Sequence, residues 1–165
     1  MEKKGEVDKF SMIGRIENGT VLDHIPGGQA LNVLRILKIE AGTDRTISVG
    51  TNVPSKSMVR KDIFKIEGRQ LAMLETHKIA IVAPHATINE IRCGKLVKKM
   101  EVKLPRMVEG IIRCGNFTCI TNSKEPLEPV TTKFYPIDPE DDNTSFQCHY
   151  CRQIIDHADA IKAII

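Results

Sequence analysis

The sequence lacks the long apolar runs of a membrane or exported protein. None of its apolar stretches approaches the roughly 20 residues that a helix needs to span a bilayer. Residues 1–9 are rich in charge and do not contain the apolar segment of a secretory signal peptide. We therefore expect a soluble, cytoplasmic protein without a membrane partner.

The sequence also lacks the common motifs of catalysis and of phosphate binding. It has no GxxxxGK[ST] loop and no GxGxxG after a predicted strand, so a bound nucleotide would depend on side-chain charges and backbone edges. It has no nucleophile elbow, no HExxH and no carboxylate pair that divides into an acid and a base. These absences predict a protein without catalytic residues, and a small enzyme with an unrecognised site stays as an alternative.

Charge and proline content both change near Pro105. Residues 1–104 carry 18 Lys and Arg against 12 Asp and Glu, whereas residues 105–165 carry 6 against 9. Five of the eight prolines and five of the seven aromatic residues also lie from Pro105 onward. We therefore predict two domains, 1–104 and 105–165, of which the second is acidic. Within it, residues 138–143 form a predicted exposed loop, which we call the acidic loop.

Hydrophobic periodicity in residues 1–104 predicts a small α/β sandwich. Residues 46–53 alternate and are rich in β-branched side chains, which indicates a strand. Apolar residues at positions 30, 33, 34 and 37 recur at helical spacing. The full prediction is a hairpin of strands at 12–16 and 21–25 around Asn18-Gly19, a helix at 29–39, strands at 46–53 and 62–67, a helix at 69–76, a buried strand at 79–82, and extended segments at 87–92 and 95–102.

This order of elements is that of ferredoxin-like domains. After Pro105 the short β-rich runs and frequent prolines predict a small β module that has too few apolar residues to be stable without a cross-link. The predicted fold class is therefore α+β, with a ferredoxin-like α/β sandwich followed by a small β-rich, zinc-ribbon-like domain.

Four of the five cysteines have the spacing of a metal site. Cys114 and Cys119 form one pair, Cys148 and Cys151 form another, and residues 120–147 separate the pairs. Zinc prefers thiolates and fills all four positions in structural sites, so we predict one structural Zn²⁺ without a catalytic water. Two disulfides or four unrelated buried cysteines are the alternatives, and reducing conditions disfavour the disulfides.

Two neighbouring groups are not included in this ligand set. Cys93 is the odd cysteine and lies in the first domain. His149 lies inside the second cysteine pair, where a side chain usually points away from the metal. We therefore predict no ligand role for either residue.

The charges of the two halves bear on their partners. Zinc ribbons commonly bind nucleic acid, but binding to phosphates needs clustered Lys and Arg, so the acidic second half favours contact with a protein. The first half carries Lys61, Lys65 and a cluster at 95, 98 and 99. These lysines fit either a solvated sheet edge or an anion site, and the residues alone leave both open. Lys98 and Lys99 are adjacent on a strand and should face opposite sides of the sheet.

Specific segments of the chain resemble the family of aspartate carbamoyltransferase regulatory chains. They are GTVLDHIP at 19–26, NVPS at 52–55, RKDIFKIE at 60–67, APHATIN at 83–89 and the two cysteine pairs. The resemblance implies a non-catalytic subunit of pyrimidine biosynthesis whose N-terminal domain binds CTP, ATP and possibly also UTP, with Mg²⁺ as a further candidate. It also implies that the zinc domain docks on the catalytic chain and that regulatory chains pair through their N-terminal domains.

The same resemblance implies roles for individual residues. Ile16 and Val21 would lie near the base, Asp23 and Lys65 near the ribose, and a further set near the triphosphate and its metal: His24, Lys61, Asn89 and Lys99. The remaining pocket residues would be Ile13, Ile63, Ile91 and Leu96. The alternative reading is an acidic zinc-ribbon protein that binds nucleic acid or acts as an adaptor.

Overall fold

Residues 14–123 and 129–165 are described by a computed structural model. In these ranges the first part of the chain forms a five-stranded antiparallel sheet and two helices, which we call the N-terminal sandwich. The strands lie in the order β2-β3-β1-β4-β5. Their bounds, with those of the helices, are β1 Gly19–Pro26, α1 Ala30–Ile36, β2 Ile47–Pro54, β3 Arg60–Glu67, α2 Met73–Val82, β4 Thr87–Arg92 and β5 Lys95–Glu101.

Period-two alternation gives this sheet two different faces. Leu22 on β1 lies opposite Phe64 on β3 and Ile88 on β4, and all three are almost fully buried. These side chains form the core with the helices. The next residues along each strand point to the other side of the sheet. We call that side the outer face.

The ferredoxin-like order is confirmed for β1 to β4, but the predicted strand at 79–82 is wrong. Ile79 to Val82 are the last turn of α2, and all four are buried. A short apolar run that is buried on all sides has no periodicity, so a strand and a helix segment look alike in sequence. The fourth strand of the motif is instead Thr87–Arg92.

The predicted hairpin around Asn18-Gly19 is also wrong. β1 pairs with β3 along one edge and with β4 along the other, so no edge is left for a preceding strand. Residues 14–16 are not in a strand, and residues 12 and 13 lie outside the described ranges. Gly19 is needed for another reason: its φ is 148°, and a Cβ there would lie 2.1 Å from the Ile66 carbonyl oxygen.

The second part of the chain forms a four-stranded sheet and one helix, which we call the C-terminal module. The sheet order is β6-β7-β8-β9. Its core contains Phe134, Phe146, Ile111 and Ile112, all 1% exposed or less. No helix in the described ranges is long and apolar enough to cross a membrane. The bounds are β6 Val108–Glu109, β7 Lys133–Pro136, β8 Phe146–Cys148, β9 Ile154–Ile155 and α3 His157–Lys162, with a 3₁₀ helix at Ile120–Asn122.

The two parts share one continuous core, and α3 packs against α2. Polar contacts reinforce this junction. Arg35 donates to the carbonyl of Ile161 at 2.6 Å, and His157 Nε2 lies 2.7 Å from the carbonyl of Ile81. Lys78 donates to the carbonyl of Ile165. The junction therefore joins α1 and α2 of the sandwich to the C-terminal helix.

A metal centre and a candidate effector face

The four cysteines predicted as ligands meet at one point of the C-terminal module. Their sulfur atoms all lie within 4.8 Å of one another. Cys114 Sγ is 3.6 Å from Cys151 Sγ, and Cys119 Sγ is 3.9 Å from Cys148 Sγ. Four thiolates at about 2.3 Å from a tetrahedral zinc are about 3.8 Å apart, so the set fits this metal. A disulfide needs a sulfur separation of about 2.05 Å, which excludes the two-disulfide alternative.

Two turns present the sulfur atoms. In the first, Cys119 N donates to the carbonyl of Asn116 at 3.0 Å, and the Asn122 amide donates to the carbonyl of Cys114 at 2.8 Å. In the second, Arg152 N donates to the carbonyl of Cys148 at 3.1 Å, and Arg152 has a positive φ of 63°. The turns are thus held by backbone and amide hydrogen bonds, which orient the ligands before a metal binds.

The buried thiols of the cluster can all be deprotonated only if a cation compensates their negative charge. Burial raises the pKa of the Cys114 thiol to about 12, and it also raises the pKa of Cys148. For Cys151, burial is outweighed by hydrogen bonds from the Gln153 backbone and the Asn116 side chain, and its pKa is lowered to about 7. A coordinating thiol is deprotonated by the metal, so a divalent cation compensates the cost of the buried thiolates.

The other two candidates lie away from the four sulfur atoms. Cys93 is exposed in the turn between β4 and β5. The ring of His149 packs edge-on against Tyr135 and Tyr150, and its Nδ1 lies 3.3 Å from the Tyr135 hydroxyl. The cluster of sulfur atoms among the described residues is made of Cys114, Cys119, Cys148 and Cys151.

Several residues that the resemblance selected form one row across the outer face. Val21 on β1 lies opposite Lys65 on β3 and Asn89 on β4, and Asn89 lies opposite Lys99 on β5. Lys98 points to the other side, where its Nζ is 4.0 Å from Glu90. The outer face therefore carries a lysine at each end of the row, Lys65 and Lys99, whereas Lys98 lies on the opposite face.

A β-bulge places a polar group on one side of this row, further along β1. The pairing of β1 with β3 shifts between Leu22 and Ile25, and His24 takes a positive φ of 59°. Asp23 pairs with Lys61 at 2.8 Å and accepts from His24 N at 2.7 Å. His24 Nδ1 is shielded from solvent and lies 3.5 Å from Asp23 Oδ2, but this contact does not have the geometry of a hydrogen bond. The capacity of this nitrogen for a hydrogen bond is therefore not used by the described residues.

A cavity of about 410 Å³ lies on the other side of the row. It brings together four of the predicted residues with three that sequence reasoning missed: Ile16, Val21, Lys65 and Ile91, and then Arg15, Glu17 and Gly94. The missed residues come together because Gly94 N donates to the carbonyl of Glu17 at 2.8 Å. The Asn18-Gly19 pair predicted a turn next to Glu17, but no sequence pattern predicted the hydrogen bond between Gly94 and Glu17.

The remaining predicted pocket residues are less closely placed. Ile63 is buried, and Leu96 lies opposite Ile91 but is 55% exposed. Neither lines the cavity. Ile13 lies outside the described residues. Burial lowers the pKa of Lys65, and the nearby Asp23 carboxylate opposes this shift.

A second, larger cavity of about 870 Å³ lies beside the C-terminal module. Among the described residues its walls include the exposed ring of Phe117 and one cationic side chain, Arg113. The outer face has three cationic side chains, Lys61, Lys65 and Lys99.

Comparisons with known proteins agree with both halves of this description. Residues 11–103 match the family model described as aspartate carbamoyltransferase regulatory chain, allosteric domain. Residues 106–161 match the model described as the metal binding domain of the same chain. With the four clustered thiols, the second match supports the prediction of one structural zinc.

Relatives with the same description cover nearly the whole chain. The aspartate carbamoyltransferase regulatory chain of Archaeoglobus fulgidus is 46% identical over 148 residues, which is 90% of this chain and 95% of the relative. That of Pyrococcus abyssi is 47% identical over 150 residues, again 90% and 95%. That of Methanosarcina acetivorans is 47% identical over 143 residues, 87% and 89%. The chain belongs to the family of aspartate carbamoyltransferase regulatory chains, and it is a regulatory, non-catalytic chain.

Proposed function

We propose that this chain binds nucleoside triphosphates on the outer face of its N-terminal sandwich and so regulates an aspartate carbamoyltransferase catalytic chain in pyrimidine biosynthesis. The observation that carries the proposal is the row of Lys65, Val21, Asn89 and Lys99, which lies between a cavity and the polar cluster of Asp23, His24 and Lys61. This arrangement supplies an apolar wall, cations and polar groups on one surface.

The chemistry of the row suggests how a nucleotide lies on it. The base enters the cavity between Ile16 and Val21, where apolar side chains can pack on its faces. Asp23 and Lys65 reach the ribose. The polar and charged groups near the phosphates and an accompanying Mg²⁺ are then His24, Lys61, Asn89 and Lys99. CTP and ATP are the proposed effectors, and UTP is a further candidate.

The C-terminal module, within residues 105–165, is proposed to contact the catalytic chain. The zinc cross-links the short strands of this module, and in this way it maintains the surface that is proposed to dock on the catalytic chain. The regulatory chains are proposed to pair through residues 1–104. Among the described strands β5 is at the edge of the sheet, and its Leu96 and Val97 are both more than half exposed. This supports the pairing because exposed strand edges readily accept another strand.

Regulation then follows from linkage. A nucleotide shifts the assembly toward the state to which it binds more tightly, and the shift cannot exceed this difference in affinity. The contacts of α3 with α1 and α2 provide a packed connection from the sandwich to the C-terminal module.

Co-expression with a catalytic chain tests the proposal. The purified complex should contain both chains and zinc, and CTP or ATP should change its activity, whereas the regulatory chain alone should have none. A complex that assembles but shows the same activity with and without both nucleotides would contradict the proposed regulation.

A further inference from the structure

A contact between the N-terminal sandwich and the acidic loop lies outside the groups described above. His85, between α2 and β4, faces two carboxylates. Its Nδ1 is 3.0 Å from Glu101 Oε1, and its Nε2 is 3.2 Å from Asp142 Oδ1. Among the described residues these are the charged groups in contact with the ring. The Nδ1 contact is a hydrogen bond, and the Nε2 contact lies within ion-pair distance, so the ring bridges the end of β5 and the acidic loop.

The backbone around His85 holds this ring in place. His85 has a positive φ of 70°, and its N donates to the carbonyl of Val102 at 3.1 Å. Val102 N returns a bond to the carbonyl of Ala86 at 2.7 Å. The residue is therefore pinned to the end of β5, the strand that carries Glu101.

The acidic loop is also ordered by its own hydrogen bonds. Asp138 N donates to the Thr144 hydroxyl at 2.9 Å, and Asn143 N donates to the Asp141 carboxylate at 2.9 Å. Asp142 is thus presented toward His85 by a folded turn. Glu140, in the same loop, has no side-chain partner in the described residues, so it offers a matched control.

Glu101 connects this contact to the outer face. It lies opposite Thr87, which lies opposite Asp23, so all three share that face. Glu101 is two residues beyond Lys99 on the same strand, a separation of roughly 7 Å. A phosphate at Lys99 therefore places further negative charge close to Glu101 and to its partner His85.

We propose that Glu101, His85 and Asp142 form a latch that couples nucleotide occupancy of the outer face to the position of the C-terminal module. This inference rests on the proposed nucleotide site. A phosphate held at Lys99 repels the nearby Glu101 carboxylate, and the His85 ring, which bridges Glu101 and Asp142, passes this change to the acidic loop. Exposed ion pairs contribute little to the free energy of unfolding. We therefore expect the latch to change the relative position of the two parts and to leave the stability of the fold nearly unchanged.

The contact itself is tested in the full chain without nucleotide by hydrogen exchange of residues 138–144. His85→Asn suits this test because asparagine tolerates a positive φ but is too short to reach both carboxylates. After correction for intrinsic rates, His85→Asn and Asp142→Asn should exchange several-fold faster than the wild type, and Glu140→Gln should not. Equal exchange in all four proteins would overturn the latch.

The coupling is tested in the complex with the catalytic chain. Asp142→Asn should reduce the effect of CTP or ATP on activity at least twofold with unchanged basal activity, and by linkage it should change nucleotide affinity only slightly, while Glu140→Gln should respond as the wild type does. A full response in Asp142→Asn would overturn the coupling. A wild-type chain that binds no nucleotide would overturn the coupling and the proposed function together, whereas the exchange result for the contact would stand.

Discussion

Replacing Cys148 with serine is the most severe single test of the metal centre. Cys148 is fully buried on β8, and it lies opposite Phe134 on the neighbouring strand. Serine offers a harder oxygen in place of a thiolate and leaves three sulfur ligands. We expect the full chain with Cys148→Ser to bind no zinc after dialysis and to lose the folded C-terminal module.

The expected loss is large relative to the stability of the module. A metal that joins Cys119 to Cys148 closes a loop of 29 residues. In the entropy relation used for disulfides, such a cross-link contributes about 3.6 kcal/mol at 25 °C. A domain of this size is stable by roughly 3–9 kcal/mol. Strands of two to four residues cannot replace that contribution.

The aromatic residues provide a specific assay. The sequence has no tryptophan and two tyrosines, Tyr135 and Tyr150, both in the C-terminal module. Near-ultraviolet circular dichroism of tyrosine therefore reports on this module, while far-ultraviolet signal comes largely from the sandwich. Cys148→Ser should lose the first signal and keep most of the second. Cys93→Ser, which changes an exposed cysteine outside the cluster, is the control. A Cys148→Ser protein with a wild-type tyrosine signal and one bound zinc would refute the reasoning.

Further predictions concern the sandwich and its junction. The buried Asp62 carboxylate accepts hydrogen bonds from Ala30 N at 2.8 Å and from Asn52 N at 2.7 Å. In urea titrations Asp62→Ala should lower the free energy of unfolding by about 2–5 kcal/mol, and Asp62→Asn should lower it by less. Variants as stable as the wild type would contradict a stabilising role of these bonds. Burial lowers the pKa of Lys65. A phosphate-bearing ligand favours the charged amine, so the complex binds more protons than the free chain. The affinity for nucleotide should therefore fall with rising pH, and the fall should begin at a lower pH than for an ordinary lysine. Lys65→Arg should flatten that fall, and a parallel pH profile would count against a Lys65 contact. His157→Ala should lower the free energy of unfolding by about 1 kcal/mol, because it removes the hydrogen bond to α2. An unchanged unfolding transition would show that this bond contributes nothing to stability.

Local sequence patterns predicted the features that depend on local spacing. The cysteine pairs, the β-branched strand at 46–53 and the opposite orientation of Lys98 and Lys99 all follow from intervals of a few residues. The segment 79–82 was predicted wrongly because its buried surroundings come from α1 and α3, which lie far away in sequence.

The parts of the site that sequence reasoning missed arise from long-range pairing. Arg15 and Glu17 reach the cavity because the Gly94 amide bonds to the Glu17 carbonyl. The hairpin prediction failed for a related reason, since both edges of β1 are occupied by strands that follow later in the chain. Likewise, no interval in the sequence relates His85 to Asp142. Such contacts require the complete sheet order, which periodicity does not provide.

The most direct measurement of the central claim is calorimetric titration of CTP and ATP, with Mg²⁺, into the full chain and into two adjacent lysine variants. Lys99 lies on the outer face, whereas Lys98 lies on the opposite face beside Glu90. The wild type should bind, Lys99→Ala should weaken binding about tenfold or more through the loss of a charged hydrogen bond, and Lys98→Ala should bind as the wild type does. Equal losses in both variants, or no binding by the wild type, would contradict a nucleotide site on this face.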